Sequence, residues 1–357
     1  MDHRVDREWR HDQDLHSKIL QGADESVRVE CRLKMHVTEP DVSVVVCTRN
    51  RSEDLVNACD AILKTEFDPK RWEMLIVDNA STDDTLEVAR AIAARFPDRV
   101  RVIVEQEIGL SAARNAGIAA TIGEMVVFVD DDAFPEAGWL AALVEGFRHR
   151  DVMCVGGPVR PRFQGELPAW FLGRYLPYLT VWDLGREAIE LTYNEYPRGT
   201  NIAYRREIFE QVGTFSSHLG RKGRSLLSCE EIELCLRIER AGYKNLYVPE
   251  AQVEHLTRVD RITPDWLVRR FGAQGRSEAI VNWRHGRFGG LAIGLRALYR
   301  NWRAARNGND SSEKLFSRCQ FRAFAMYALE MPRATMMVRP YAPLRSGVSA
   351  ATWRPFG

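Results

Sequence analysis

The chain has 357 residues, a formal net charge of +1, 45% hydrophobic and 28% charged residues. That length suits one large domain or two, and the apolar fraction is that of a soluble globular protein. The seven cysteines (31, 47, 59, 154, 229, 235 and 319) form no CxxC pair and no Cys/His spacing, which argues against a zinc site. Their odd number and scatter suit reduced thiols in a reducing compartment. The polar start, MDHRVDREWRHDQD, has no apolar signal-peptide core. No window approaches the roughly 18 apolar residues of a membrane span. Charge is unevenly placed: from Leu256 onward there are 18 basic and 6 acidic residues, a net of +12, against −11 for the rest. An acidic body with a basic end suggests different partners for the two parts.

Residues 1–26 read as a polar arm. VRVECRLKMHV (27–37) alternates apolar and charged residues strictly, the period of a strand with one wet face. VSVVVC (42–47) is continuously apolar, as a strand covered on both faces must be. SEDLVNACDAILKT follows as a helix, with Ser52 as its expected N-cap. EMLIVD (73–78) predicts a second buried strand, STDDTLEVARAIAARF a helix and RVRVIVE (99–105) a third strand. SAARNAGIAAT predicts another helix and MVVFVD (125–130) a fourth strand. Strand–helix alternation at this spacing predicts a mostly parallel α/β sheet.

After Gly138 the pattern loosens. GWLAALVEGF predicts a short helix, VMCVGGPVRP one strand, and RREIFEQVG and CEEIELCLRIERAG helices ending on Gly213 and Gly242. KNLYVPEAQVEH reads as extended, and the chain from Thr263 as helical.

In open α/β sheets, ligands bind beyond the carboxyl ends of the strands. Those ends here carry CTRNR, DNAS and DDD. Asp130 and Asp132, two apart on an extended segment, point to one side and suit a hard divalent cation that shares its shell with a diphosphate. The same letters also suit an acidic turn ahead of a helix, so DDD alone leaves both readings open.

Six segments together resemble a family 2 glycosyltransferase: VSVVVCTRNR, LIVDNASTDDT, GLSAARNAGI, VVFVDDDAFP, GTNIAYRREIFEQVGTF and EEIELCLRIERAGYKNLYVPEAQVEH. They occur in the family's order over roughly 42–255. The resemblance implies the GT-A fold, a Rossmann-like, mostly parallel sheet flanked by helices, with a C-terminal helical region. It divides the chain into an arm and extra strand (1–40), a catalytic domain (41–255, nucleotide half 41–140 and acceptor half 141–255) and a basic helical region (256–357). It implies an inverting transfer of a sugar from a nucleotide-sugar donor, a UDP-sugar by expectation, to a saccharide, glycolipid or other hydroxyl acceptor.

Residue by residue, the resemblance gives Thr48, Arg49, Asn50 and Asp78 to the nucleotide, Asp78 reading the base. Arg114 would contact the base or diphosphate and Asp130 the ribose. Asp130, Asp132 and His255 would hold Mn²⁺ or Mg²⁺. CEEIEL matches a block in which the second acid is the catalytic base, here Glu231, with Glu230 as the alternative. Gly199, Asn201, Trp170 and Trp182 would lie on the acceptor side, though buried aromatic core accounts better for the two tryptophans.

LAIGLRALYRNWRAARNG groups Leu291, Leu295, Leu298, Tyr299 and Trp302 near one helical face among arginines. That pattern suits a helix lying on an anionic membrane or a helical cap on the catalytic domain. The expected location is cytoplasmic, with peripheral contact at the inner membrane face. No nucleic-acid motif accompanies the basic charge. A nucleotidyltransferase would want a glycine-rich loop where CTRNRSED has none, and a non-catalytic nucleotide-sugar-binding protein would share most of these residues.

Overall fold

The computed structural model describes residues 40–193, 195–286 and 311–337. The alternating segment 27–37, the polar arm before it and the basic stretch 291–308 lie outside the described residues. The strand–helix series opens as expected with β1 (Val42–Thr48), α1 (Ser52–Leu63), β2 (Trp72–Asp78), α2 (Thr85–Arg95), β3 (Val100–Val104), α3 (Leu110–Ala120) and β4 (Met125–Asp130). It continues through β5 (Ala133–Pro135), α4 (Trp139–Gly146), β6 (Val152–Gly156), β7 (Val159–Phe163), a 3-10 segment (Gly173–Leu179), β8 (Ile189–Leu191) and β9 (Asn201–Arg205). Then come α5 (Ile208–Val212), α6 (Glu230–Arg240), β10 (Lys244–Tyr247), β11 (Val253–Thr257), α7 (Pro264–Arg284) and α8 (Ser311–Met337).

Eight strands form one sheet in the order β3-β2-β1-β4-β9-β6-β10-β8. β3, β2, β1 and β4 run parallel, whereas β9 lies antiparallel to both β4 and β6. Every residue of β2 and all of β1 but Cys47 are buried, which is why neither strand shows polar alternation. Successive side chains of β1 serve opposite faces. Val42, Val44 and Val46 meet Leu55, Cys59 and Ile62 of α1 and Ala89 of α2. Val45 joins Ala113 of α3 and Leu234 and Ile238 of α6 in the second core. α3 packs so close to β1 that a Cβ on Gly117 would lie 2.6 Å from a Val45 methyl, so only glycine fits there.

A second, three-stranded sheet, β5-β11-β7, flanks the end of β4. A third apolar cluster seats Tyr175, Tyr178 and Leu179 beneath Trp266, Leu267 and Phe271 of α7 and Leu315 and Cys319 of α8. The Tyr178 and Phe271 rings stack at 3.5 Å.

Three local expectations are corrected. Ser52 is the first helical residue rather than the cap; Arg51 holds the cap position with no side-chain cap bond. The segment 152–161 is two strands, because Gly157 and Pro158 break it and send β6 and β7 into different sheets. RREIFEQVG shortens to five helical residues, closed by Gly213 at φ +78.

Candidate active site

The parallel register brings three strand ends level: Thr48 pairs with Asp78, and Cys47 with Asp130. A cleft of about 300 Å³ opens there, lined among others by Thr48, Arg49, Asn79, Asp130, Asp131, Asp132 and His255. This is the ligand end of an open α/β sheet.

The chain leaves β4 at Asp130, turns through Asp131 and Asp132, and enters β5, which pairs antiparallel with β11 so that Ala133 faces His255. The Leu256 amide also donates to the Asp132 carbonyl at 2.9 Å. The small sheet thus carries His255 to Asp132, with Nε2 at 3.0 Å from the carboxylate. One donor atom each from Asp130, Asp132 and His255 lie within 4.8 Å of one another. Two carboxylates and an imidazole suit Mn²⁺ or Mg²⁺, and the three acids stand together where a cation relieves their repulsion. These residues fit the ion the sequence implies.

Arg51, which no motif singled out, sits among these acids. Its Nη1 lies 2.9 Å from Asp131 and 2.6 Å from Asp132, and Arg261 reaches Asp132 at 3.3 Å. Burial opposes ionisation of Asp132, but His255, Arg51 and Arg261 hold its carboxyl well below the usual range. Asp131 moves the other way: burial and the Asp132 charge raise it, against Arg51 and the Thr48 hydroxyl that donates to it at 2.7 Å. No sequence signal marks Arg51: the letters put the cap at Ser52, and Arg51 meets the acids because it holds the cap position of α1 instead.

On the nucleotide side, Asp78 is 1% exposed. One of its oxygens accepts the Ser81 amide at 3.1 Å, and the other has no partner among the described residues. Arg49 donates to the carbonyls of Asn79 and Ala80, bracing the loop after β2. Asn50 does the same from its side chain, accepting the Thr82 amide at 2.8 Å. Arg49 and Asn50 therefore shape the wall by holding this loop.

Arg114 is held by partners within the protein. Its guanidinium lies against the contacting rings of Phe128 and Phe215, donates to Glu230 at 2.6 Å, to the Gly199 carbonyl at 3.1 Å and to Asp130 at 3.4 Å. It ties the acid at the end of β4 to the acid that opens α6. A Cβ on Gly199 would lie 2.5 Å from that guanidinium, so a side chain there would push Arg114 from its present position. Thr200, also unforeseen, donates to Asp130 at 2.6 Å.

Glu230 is buried, and burial with the Glu231 charge raises its carboxyl while Arg114 opposes. Glu231 is half-buried and its Oε2 has no partner among the described residues. Neither glutamate lines the 300 Å³ cleft itself; they stand behind Arg114 on the acceptor side.

Three predicted acceptor residues are occupied elsewhere. Asn201 is fully buried, donates to the carbonyls of Pro158 and Ala251 and accepts from the Trp139 indole, so its amide braces the fold. Trp182 packs edge-on against Tyr247 in the core, and Trp170 packs on Phe171 and Tyr175. Neither ring lines the cleft.

Residues 43–213 match the sequence profile described as Glycosyl transferase family 2. The chain is 30% identical over 249 residues to a glucosyl-dolichyl phosphate glucuronosyltransferase of Haloferax volcanii, covering 68% of this chain and 77% of that protein. It is 25% identical over 272 residues to a succinoglycan biosynthesis protein of Rhizobium meliloti, covering 76% and 81%. Among solved structures it resembles a mannosyltransferase of Pyrobaculum calidifontis in complex with GDP-Man and Mn²⁺, with TM-score 0.51 and 21% identity over 84% of this chain and 74% of that one.

Proposed function

The chain belongs to glycosyl transferase family 2 and has the GT-A fold, and from that premise we propose an inverting transfer of a hexose from a UDP-sugar to a hydroxyl acceptor in glycolipid or polysaccharide assembly. One observation carries the reading: Asp130, Asp132 and His255 gather within 4.8 Å at the strand ends, and Arg114 joins Asp130 to the α6 acids. The names of the Haloferax and Rhizobium relatives support a glycolipid or polysaccharide product.

Asp78 is given the base: its unpartnered buried oxygen, next to Asn79 of the cleft lining, leaves an acceptor for an imide N–H such as that of uracil. Asp130, Asp132 and His255 would hold the divalent cation, which when bound would supply Lewis-acid stabilisation of the departing diphosphate. Arg51 and Arg261, already beside Asp132, keep cationic charge near the diphosphate. Arg114 fixes Glu230 as a neighbour to Glu231, and Glu231, with a free buried oxygen, takes the acceptor proton. The acceptor oxygen bonds to the anomeric carbon, the carbon–oxygen bond to the diphosphate breaks, and the proton passes to Glu231. Attack opposite the leaving group inverts the configuration.

Among the described residues no helix is long and apolar enough to cross a membrane. The net +12 of residues 256–357 supports peripheral contact with an anionic membrane face. The direct test is release of nucleoside diphosphate from UDP- and GDP-sugars with a panel of saccharide and lipid acceptors. Acceptor-dependent UDP release supports the reading; release no faster than the blank for every donor opposes it.

A further inference from the structure

The acceptor side carries three arginines that feel carboxylates, Glu278 for Arg270 and Glu231 for Arg198, but pair directly with none among the described residues. Arg270 on α7 is 9% exposed, yet its Nε and Nη1 have no partner among the described residues. Arg198, half-buried with its guanidinium 5.8 Å from the Trp182 ring centroid, also has an unpartnered Nε. Arg221 lines the cleft. No carboxylate among the described residues lies within ion-pair distance of these three side chains, whereas Arg51, Arg114 and Arg261 are all paired.

Arg270 and Arg198 lie on segments that meet the start of α6 and its partner Arg114. Gln274, one turn along α7 from Arg270, donates to Cys229 Sγ at 3.2 Å and accepts from the Ser228 hydroxyl at 3.0 Å, the two residues just before Glu230. Arg198 directly precedes Gly199 and Thr200, which hold Arg114 and Asp130. The charges also feel one another: burial and the fields of Arg261 and Arg270 pull Arg221 down to about 10. Arg198 is lowered by burial, with Glu231 opposing and Arg270 adding to the effect.

Desolvated guanidinium groups without an anion are costly to keep, and planar N–H forks are matched to phosphate oxygens. The donor diphosphate does not account for all of them. It belongs beside Asp130 and Asp132, and neither Arg198 nor Arg270 lines that cleft. We propose that Arg198, Arg221 and Arg270 form a second anion subsite, which receives a phosphate group carried by the acceptor. The enzyme therefore glycosylates a phosphate-bearing acceptor, such as a prenyl-phosphate lipid, in preference to a neutral one. The inference rests on the glycosyltransferase reading above.

The test uses the full chain saturated with Mn²⁺ and with UDP or GDP, whichever raises its melting temperature more. Farnesyl phosphate, farnesol and inorganic phosphate are then titrated by calorimetry. Farnesyl phosphate binds at least about tenfold more tightly than farnesol, and R270Q and R198Q each weaken it by about tenfold or more, the loss of one charged hydrogen bond. R270K recovers part of the affinity, and nucleotide affinity in each variant stays within about twofold, which separates a lost contact from a misfolded chain. Equal affinity for farnesyl phosphate and farnesol, or an R270Q variant that binds farnesyl phosphate like the parent, overturns the subsite. Inorganic phosphate binding as tightly as farnesyl phosphate overturns its assignment to the acceptor. Failure of the parent chain to bind either nucleotide sinks the donor reading instead, and is seen before any acceptor is added.

Discussion

The two ends of the active site are built from opposite charge imbalances. At the donor end the acids are crowded and already matched: Asp131 and Asp132 share Arg51, and Asp132 also has Arg261 and His255. At the acceptor end the buried Arg270 and the half-buried Arg198 have no carboxylate within ion-pair distance among the described residues, and Glu231 keeps an unpartnered oxygen. At the donor end, then, fixed carboxylates are held by side-chain cations, and under the proposed mechanism a divalent ion would share them. The acceptor end is a place that lacks a ligand's charge. Arg114, paired to both Asp130 and Glu230, is the mechanical link between the two.

The sharpest break of this comparison is Glu231→Gln. It lowers turnover by roughly 10²–10⁴-fold, the worth of a positioned general base, while nucleotide binding in calorimetry stays within about twofold. A variant with near-normal turnover removes Glu231 as the base and shifts the role to Glu230.

Next in size is Glu233→Gln, behind the acceptor end. Glu233 is fully buried and meets Arg237 at 2.9 Å and His285 at 3.2 Å. Burial opposes its ionisation, but His285, Arg237 and Arg284 hold its carboxyl at about 2. A carboxyl lowered in the folded state stabilises above its unfolded pKa, and that contribution is lost as pH falls toward about 2. Removing the charge costs about 3–5 kcal/mol at neutral pH, read as a lower midpoint in chemical unfolding. The gap to the parent narrows between about pH 4.5 and pH 2. A gap that widens on acidification contradicts this assignment.

Gly117→Val, which forces α3 off β1 beneath the donor end, costs about 1–3 kcal/mol by overpacking, measured as a thermal shift. The smallest effect is Arg51→Ala. Without metal it lowers stability by about 1 kcal/mol, since Asp131 and Asp132 lose a shared partner. Saturating Mn²⁺ cancels most of that loss. If Mn²⁺ stabilises the parent and the variant equally, Arg51 does not share the acids with the ion.

Much of the donor end was legible in the sequence, because a parallel strand buried on both faces must be a continuous apolar run. VSVVVC, EMLIVD and MVVFVD fix where the chain turns, and the register then aligns Thr48, Asp78 and Asp130. His255 was legible only through the family resemblance; physically it depends on β11 pairing with β5. What the letters could not give was the capture of side chains by distant partners. Arg114 is taken by Glu230, 116 positions later, and Asn201 by Pro158, Ala251 and Trp139. Arg51 is one of several polar residues in CTRNR, and only the cap geometry of α1 decides that it turns toward the acids. Cys229, at the cap of α6, stands at φ +69, in the left-handed region that favours glycine, which the letters CEEIEL do not announce.

The central claim, a carboxylate-held cation that anchors the donor diphosphate, is tested most directly by titrating UDP and GDP into the parent chain and Asp132→Ala by calorimetry, with Mn²⁺ and with EDTA. The account predicts that the preferred nucleotide binds the parent at least about tenfold more tightly with Mn²⁺, and that Asp132→Ala abolishes this difference. Equal affinity with and without Mn²⁺ in the parent chain contradicts it.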